Sequence, residues 1–261
     1  MTTAWDAPPE QDPPAAERPY EWRECMSQRP AIIVMAKAPL PGTVKTRLSG
    51  AYPDAEIVAL ASCFLADTVS AAKQVGPAVL LAYSPEGGQA VIEPIIESII
   101  EPSAGDAVLW ICQQGANLGD RMQAALIQAA AWGFAPLVMV GTDSPNLPLA
   151  SYRAALETLR CGEAEVVLGP AEDGGFYLIG VSAPSPALFE GVVWSGPAVC
   201  QQTRENAERA GLRVQTIAPW YDVDTPEDLE RLRRDLLTGP GGAVRAPATC
   251  RWLRSHLSPT S

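Results

Sequence analysis

The run Ala31-Ile-Ile-Val-Met-Ala36 is apolar without a break and rich in β-branched residues. Such a strand has no polar face to offer water, so it belongs in a sheet covered on both sides, the situation of parallel strands in α/β proteins. Ala78 to Tyr83, Val108 to Cys112, Leu137 to Gly141, Glu165 to Leu168, Tyr177 to Gly180 and Arg213 to Ile217 read as further strands. Helical spacing separates them. From about Asp54 to Lys73, Ile57, Leu60, Ala61, Phe64, Leu65 and Val69 recur on one face,. Leu118 to Trp132, Leu149 to Leu159 and Cys200 to Ala210 follow the same period, and Val91 to Ile100 fits either a helix or a buried connection. Thr225-Pro-Glu-Asp-Leu opens a last helix, with Thr225 as N-cap and Pro226 at the first helical position, where its missing N–H costs nothing,. The alternation predicts an α/β fold with a mostly parallel central sheet and helices on both faces.

A chain of 261 residues, 47% of them hydrophobic, has enough apolar material for one large α/β domain,. Residues 1–29, rich in Pro, Glu and Gln, read as a disordered extension with no apolar signal-peptide core,. Residues 30–237 read as the folded domain. Residues 238–261, opening Thr-Gly-Pro-Gly-Gly, read as a loose C-terminal tail that Trp252 and Leu253 can pin back onto the body. No internal repeat of fixed period is present.

A net charge of −11 argues against nucleic acid or an anionic membrane as the main partner, since both call for a basic face,. It leaves room for a local basic cluster that binds phosphate. The six cysteines are scattered without paired spacing, as expected of free thiols in a reducing compartment,. His256, the single histidine, lies near the C-terminus, so acid–base chemistry falls to carboxylates, lysine or metal-bound groups,. The longest apolar tract, Ala124 to Val140, is broken by Gln128, Gly133 and Pro136 and reads as helix then strand, not as a membrane span,. The expectation is a soluble cytoplasmic protein without membrane insertion; its oligomeric state is not written in the chain.

Chemistry gathers at the predicted strand ends. Val138-Met-Val-Gly-Thr-Asp-Ser-Pro145 is an apolar run that stops in an acid, a hydroxyl and a proline. Open α/β sheets bind ligands at the carboxyl ends of their strands. Asp143 there suits Mg²⁺ or Mn²⁺, which favour carboxylate oxygens and share their coordination with substrate phosphates. The loop after the first strand carries Lys37, Lys45 and Arg47 with no acid among them. Three cations on one loop suit a di- or triphosphate, although a solvated basic loop has the same spacing. The loop is neither a Walker A sequence nor a Rossmann fingerprint, which weakens ATPase and dehydrogenase readings.

Gln113-Gln-Gly-Ala-Asn-Leu-Gly-Asp-Arg-Met122 opens a helix, and Gly115 and Gly119 would let a base or ribose approach the backbone, or simply form a turn,. Gly169-Pro-Ala-Glu-Asp-Gly-Gly-Phe-Tyr177 is either a hairpin turn or an acceptor-binding loop carrying Glu172 and Asp173,. In Tyr221-Asp-Val-Asp-Thr-Pro-Glu-Asp228, the helix dipole accounts for Glu227 and Asp228,. It leaves Asp222 and Asp224 as candidates for a second metal ligand.

Taken in order, Ala-Lys-Ala-Pro-x-Pro-Gly-x-Val-Lys-Thr-Arg-Leu, Leu-Gly-Asp-Arg-Met, Gly-Thr-Asp-Ser-Pro, Gly-Pro-Ala-Glu-Asp-Gly-Gly-Phe-Tyr-Leu-Ile-Gly and Asp-Val-Asp-Thr-Pro-Glu-Asp-Leu resemble one family. It is the bacterial transferases of the radical-SAM/selenodomain-associated transferase 1 type, in part arsenosugar-biosynthesis glycosyltransferases, related to phospholactate guanylyltransferases. The resemblance spans about residues 31–236 and implies a single Rossmann-like glycosyltransferase-A domain, the nucleotide-diphospho-sugar transferase fold. It implies that Asp143 holds a divalent metal on the donor phosphates and that Asp224 is a second metal-binding acid. Lys37, Lys45 and Arg47 would neutralise phosphate charge. Asn117, Gly119, Arg121 and Thr142 would border the nucleotide. Glu172, Asp173, Gly174, Gly175 and Phe176, with Trp194, would shape the acceptor side.

Two reactions fit. In glycosyl transfer, the reading placed first, a small-molecule acceptor attacks the anomeric carbon of a nucleotide-sugar, with Asp173 or Glu172 as base. In nucleotidyl transfer, a phosphorylated small molecule attacks the α-phosphorus of a nucleoside triphosphate and pyrophosphate leaves, with Lys45 and Arg47 stabilising the phosphate charge. A nucleotide-binding module without catalysis would be free to lose its acids, yet Asp143, Asp173, Asp222 and Asp224 are all present.

Overall fold

The computed structural model describes residues 29–76, 78–99, 108–239 and 242–256. The expected N-terminal extension, except for its last residue, lies outside the described residues, as does Ile100. Seven strands form one sheet: β1 (Arg29–Lys37), β2 (Ala78–Ser84), β3 (Leu109–Cys112), β4 (Phe134–Val140), β5 (Val166–Pro170), β6 (Phe176–Val181) and β7 (Val214–Thr216). Their order is β3-β2-β1-β4-β6-β5-β7. Every neighbouring pair is parallel except those involving β6, which runs antiparallel to both β4 and β5. The mostly parallel sheet expected from the sequence is therefore present. β4 starts at Phe134, earlier than its apolar run suggested. Its pairing with β1 slips by one residue between Phe134 and Leu137, the stretch that holds Pro136, which has no N–H for the ladder,.

Alternation along the strands divides the core. Ile32, Val34 and Ala36 of β1 join one layer, with α1 (Asp54–Val75), α2 (Gln89–Glu97) and α4 (Leu149–Arg160). Ala31 and Ile33 join the other, with α3 (Leu118–Ala131), α5 (Val199–Arg209) and Phe189. The stretch opening at Val91 is helical through Glu97, bearing Ile92 and Ile96 inward.

A third core was not expected. Val44 and Leu48 of the β1–α1 loop meet Ile57, Leu60 and Phe64 of α1 and Leu229, Leu232 and Leu236 of α6 (Pro226–Leu237). The chain after residue 237, read as loose, completes this core through a short helical turn, α7 (Gly242–Arg245), and α8 (Pro247–His256). Trp252 and Leu253 are buried there with Cys250. The start of α8 is fastened by Asp67, a buried acid of α1 that accepts the backbone N–H groups of Ala248 and Thr249 at 2.9 and 2.7 Å. α1 is long and apolar enough to cross a membrane by composition, and here its apolar residues lie in two cores of the folded chain. The five cysteines among the described residues are unpaired.

Candidate active site

The carboxyl ends of β1, β2, β3 and β4 open on a cleft of about 850 Å³, room for a nucleotide-sized ligand,. Two segments distant in sequence are stitched together at its centre. The carbonyl of Asp143, just past β4, accepts the N–H of Val223 at 2.9 Å. The Ser144 hydroxyl lies 2.6 Å from Asp222 Oδ1 and 2.9 Å from the Tyr221 carbonyl, so its one proton serves one of them. The Asp222-Val-Asp224 segment is held from the other side by helix α6, whose N-cap Thr225 forms a capping box with Asp228,. The two acids left over from the helix start are thereby carried beside the β4 tip.

The basic loop brings the third part. Lys45 Nζ donates to Asp143 Oδ1, to the Val223 carbonyl at 2.6 Å and to Asp224 Oδ1 at 3.1 Å. Its side chain is 6% exposed, whereas those of Asp143 and Asp224 are 51% and 39% exposed. Burial alone would lower the Lys45 pKa, but the Asp143 and Asp224 carboxylates outweigh it and hold the ammonium above the ordinary lysine value,. Arg47 Nη1 lies 3.5 Å from Asp224 Oδ2 on a largely exposed side chain. Lys37 Nζ donates to the Thr43 carbonyl at 2.7 Å, folding the loop on itself. Burial pushes the Asp222 carboxyl up to about 6. The Asp143 and Asp173 carboxylates add to that, and the Ser144 hydroxyl and Lys45 oppose it.

Asp143 and Asp224 therefore converge on a single cation, here the Lys45 ammonium. Among the described residues no cluster of three or more Asp, Glu, His or Cys side chains is placed to hold a metal. The donor set is two carboxylates, which fits Mg²⁺ or Mn²⁺ completed by water and substrate phosphate rather than a closed protein cage.

Lys37, Lys45, Arg47, Arg121, Thr142, Asp143 and Asp224 all line the cleft, as do Asp173, Gly175, Phe176 and Trp194. Four expected residues do not. Glu172 turns outward into a two-pronged pair with Arg231 of α6, at 2.6 and 2.9 Å, which holds its carboxyl below the ordinary glutamate value. Asn117 is the N-cap of α3, its side chain engaged with Asp120 in a capping box. Gly119 makes room for a protein ring, since a Cβ there would lie 2.4 Å from Trp194. Gly174, at φ +92°, packs so closely on Pro197 that a Cβ would fall 1.9 Å from its carbonyl oxygen,.

These two close approaches hold the segment around Trp194 in place as one wall of the cleft. Trp194 meets Phe176 edge-to-face, with centroids 6.5 Å apart,. Asp173 Oδ1 accepts the Gly175 N–H at 2.8 Å, leaving Oδ2 for other partners. Gln113, the residue directly after β3, also lines the cleft. Its amide donates to the Ala36 and Ala82 carbonyls at 3.3 and 2.7 Å, across the tips of β1 and β2. Its place directly after a strand was the available signal.

Residues 67–196 match the family model described as "Uncharacterized protein conserved in bacteria (DUF2064)". No curated protein matches the chain. Among solved structures, the chain is similar to a proposed nucleotide-diphospho-sugar transferase from Desulfovibrio desulfuricans G20, with 30% identity over 87% of this chain and 95% of that one and a TM-score of 0.74. It shares its fold with the 4-diphosphocytidyl-2C-methyl-D-erythritol synthase of Anaerococcus prevotii DSM 20548 (12% identity, 77% and 95% of the two chains, TM-score 0.51). It also shares it with a cytidylyltransferase from Leptospira borgpetersenii serovar Hardjo-bovis (13% identity, 90% and 100%, TM-score 0.51).

Proposed function

This chain belongs to the nucleotide-diphospho-sugar transferase superfamily, and we propose that it transfers a group from a nucleotide-activated donor to a small-molecule acceptor. The reading we favour is glycosyl transfer from a nucleotide-diphospho-sugar. The observation that carries it is the meeting of Asp143 and Asp224 at one cationic point, beside a loop that supplies Lys37 and Arg47. Opposed carboxylates with cations around them suit a diphosphate and its divalent ion. The likeness to the proposed nucleotide-diphospho-sugar transferase of Desulfovibrio desulfuricans supports the sugar donor.

In this reading Asp143 and Asp224 would hold Mg²⁺ or Mn²⁺, which would supply positive charge to the donor diphosphate. Arg47 and Lys37 bind phosphate oxygens from the loop side, while Thr142 and Arg121 border the nucleotide. Trp194 and Phe176 orient the acceptor with an apolar wall. Asp173 takes the acceptor proton at Oδ2, the oxygen not engaged by Gly175,. Glu172 takes no part, since Arg231 occupies both of its oxygens.

The second reading, nucleotidyl transfer to a phosphorylated acceptor with loss of pyrophosphate, is favoured by the nearness of Asp224 to the β4 tip. A second acid beside Asp143 and three cations on one loop suit a triphosphate as well as a diphosphate. One experiment separates the two. The protein is incubated with Mg²⁺ or Mn²⁺ and with separate panels of nucleotide-sugars and nucleoside triphosphates. Release of a nucleoside diphosphate from a nucleotide-sugar supports glycosyl transfer. Pyrophosphate release that requires a phosphorylated acceptor supports the other. If neither panel binds, both readings fail.

A further inference from the structure

Lys45 is the most constrained cation in the cleft. Its ammonium has three protons and three acceptors within reach, Asp143 Oδ1, Asp224 Oδ1 and the Val223 carbonyl. Its backbone is left-handed, at φ 46° and ψ 42°, a region that side-chain-bearing residues rarely enter; no other non-glycine residue among those described has a positive φ,. The Phe64 ring lies 5.4 Å from the nitrogen, so the slot has an apolar floor,. A lysine held in this way is not a free arm waiting in solvent for a phosphate.

Asp143 and Asp224 repel each other unless a cation lies between them, and the ammonium is that cation. Lys45 holds Oδ1 of both carboxylates, so a divalent ion that bridges those two oxygens has to displace it. An ammonium that leaves a slot 6% exposed gives up two charged partners, and another anion that takes it up offsets that loss,. A diphosphate entering beside Arg47 and Lys37 offers that anion on the same loop. We propose that Lys45 is the resident counter-ion of the Asp143–Asp224 pair and yields it only to a divalent cation arriving with a diphosphate, so that metal and phosphate load as a coupled unit. The inference rests on the reading of these two acids as metal-holding. By linkage, whatever the phosphate does to metal affinity the metal does to phosphate affinity, by the same factor.

The test measures Mn²⁺ bound to the full chain by water-proton relaxation, with and without inorganic pyrophosphate, against protein-free controls. In the wild type, pyrophosphate tightens protein-bound Mn²⁺ by about tenfold or more, within the usual range of coupling between sites. Lys45→Met binds Mn²⁺ alone about tenfold more tightly than the wild type, and the pyrophosphate effect falls below about threefold. Lys45→Gln moves in the same direction. Tighter binding is a gain that a damaged fold does not produce. If Lys45→Met and Lys45→Gln bind Mn²⁺ alone no more tightly than the wild type, the coupling role is overturned while the metal reading stands. The wild type decides by itself if neither variant folds, because the absence of any pyrophosphate effect overturns the proposal. Mn²⁺ binding that survives in both Asp143→Asn and Asp224→Asn overturns the metal reading, and the coupling falls with it.

Discussion

Asp67, buried within α1, accepts the backbone N–H of Thr249 at 2.7 Å, across 182 residues of chain. With the Ala248 N–H at 2.9 Å, the carboxylate satisfies two of the amides that open α8, a capping role filled from another helix,. Asp67→Ala removes both acceptors and leaves buried donors without partners. The expected cost is about 1–3 kcal/mol of folding stability, measured by urea denaturation. Hydrogen exchange should quicken first at Ala248 and Thr249. An unchanged exchange rate at those two amides would show that Asp67 does not fasten the helix.

Asp143 and Asp224 carry the metal reading in the proposed function, and each is tested by an isosteric amide. Asp143→Asn is expected to lower turnover by about 10²-fold or more, the scale of losing a group that stabilises developing charge. It should also weaken metal-dependent nucleotide binding. Asp224→Asn follows in the same direction. Full activity in Asp143→Asn with either donor class would remove this residue from the chemistry.

The parallel strands and their order of appearance were legible because runs such as Ala31–Ala36 and Val138–Val140 leave no polar face for solvent. The acids were legible for a related reason: a charge directly after such a run has to emerge at the sheet edge. The partners of those acids were not legible. Nothing local in the β1–α1 loop marks the Lys45 side chain as buried, because its burial depends on Asp143 and Asp224, 98 and 179 residues away. Glu172 shows the converse, since the acid was visible and Arg231, which pairs with it, was not. The glycines at 119 and 174 were visible too, but only Trp194 and Pro197 show what they make room for. Trp252 and Leu253 stood out as apolar residues, yet the acid that anchors their helix lies in α1.

Asp222 has a folded pKa of about 6, above the ordinary aspartate value. Its protonated form is therefore favoured by folding. That contribution is complete below about pH 4 and is lost as the pH rises through about 6,. Asp222→Asn lacks the charge and can still accept from Ser144. In metal-free protein it should be more stable than the wild type above pH 6, by on the order of 1–2 kcal/mol, and the gap should close toward pH 4. Urea denaturation across that range in the presence of a chelator checks this. A gap that stays constant with pH would contradict it.

Glu172 and Asp173 are adjacent in sequence and face different ways, which makes them a matched pair. Glu172→Gln breaks a partly exposed ion pair with Arg231, and its stability cost should stay below about 1 kcal/mol,. Activity should be unchanged. Asp173→Asn alters the cleft side and should lower kcat by about 10²-fold or more if it takes the acceptor proton. Steady-state kinetics on both variants decides it. Equal effects, or a larger loss in Glu172→Gln, would reassign the base.

Gly119 and Trp194 supply a test of the acceptor wall that touches no charged group. A Cβ at position 119 would lie 2.4 Å from the Trp194 ring, closer than side-chain carbons approach one another, so the indole has to move,. Trp194 also packs against Phe176 and Phe189, so the shift reaches the aromatic wall of the cleft. Gly119 sits in the first turn of α3, where alanine is a better helix former, so the backbone itself gains from the substitution,. Gly119→Ala is therefore expected to leave nucleotide affinity near wild type while raising the acceptor KM several-fold. If nucleotide affinity falls instead and the acceptor KM holds, Trp194 borders the donor, and the assignment of the two ends of the cleft must be exchanged.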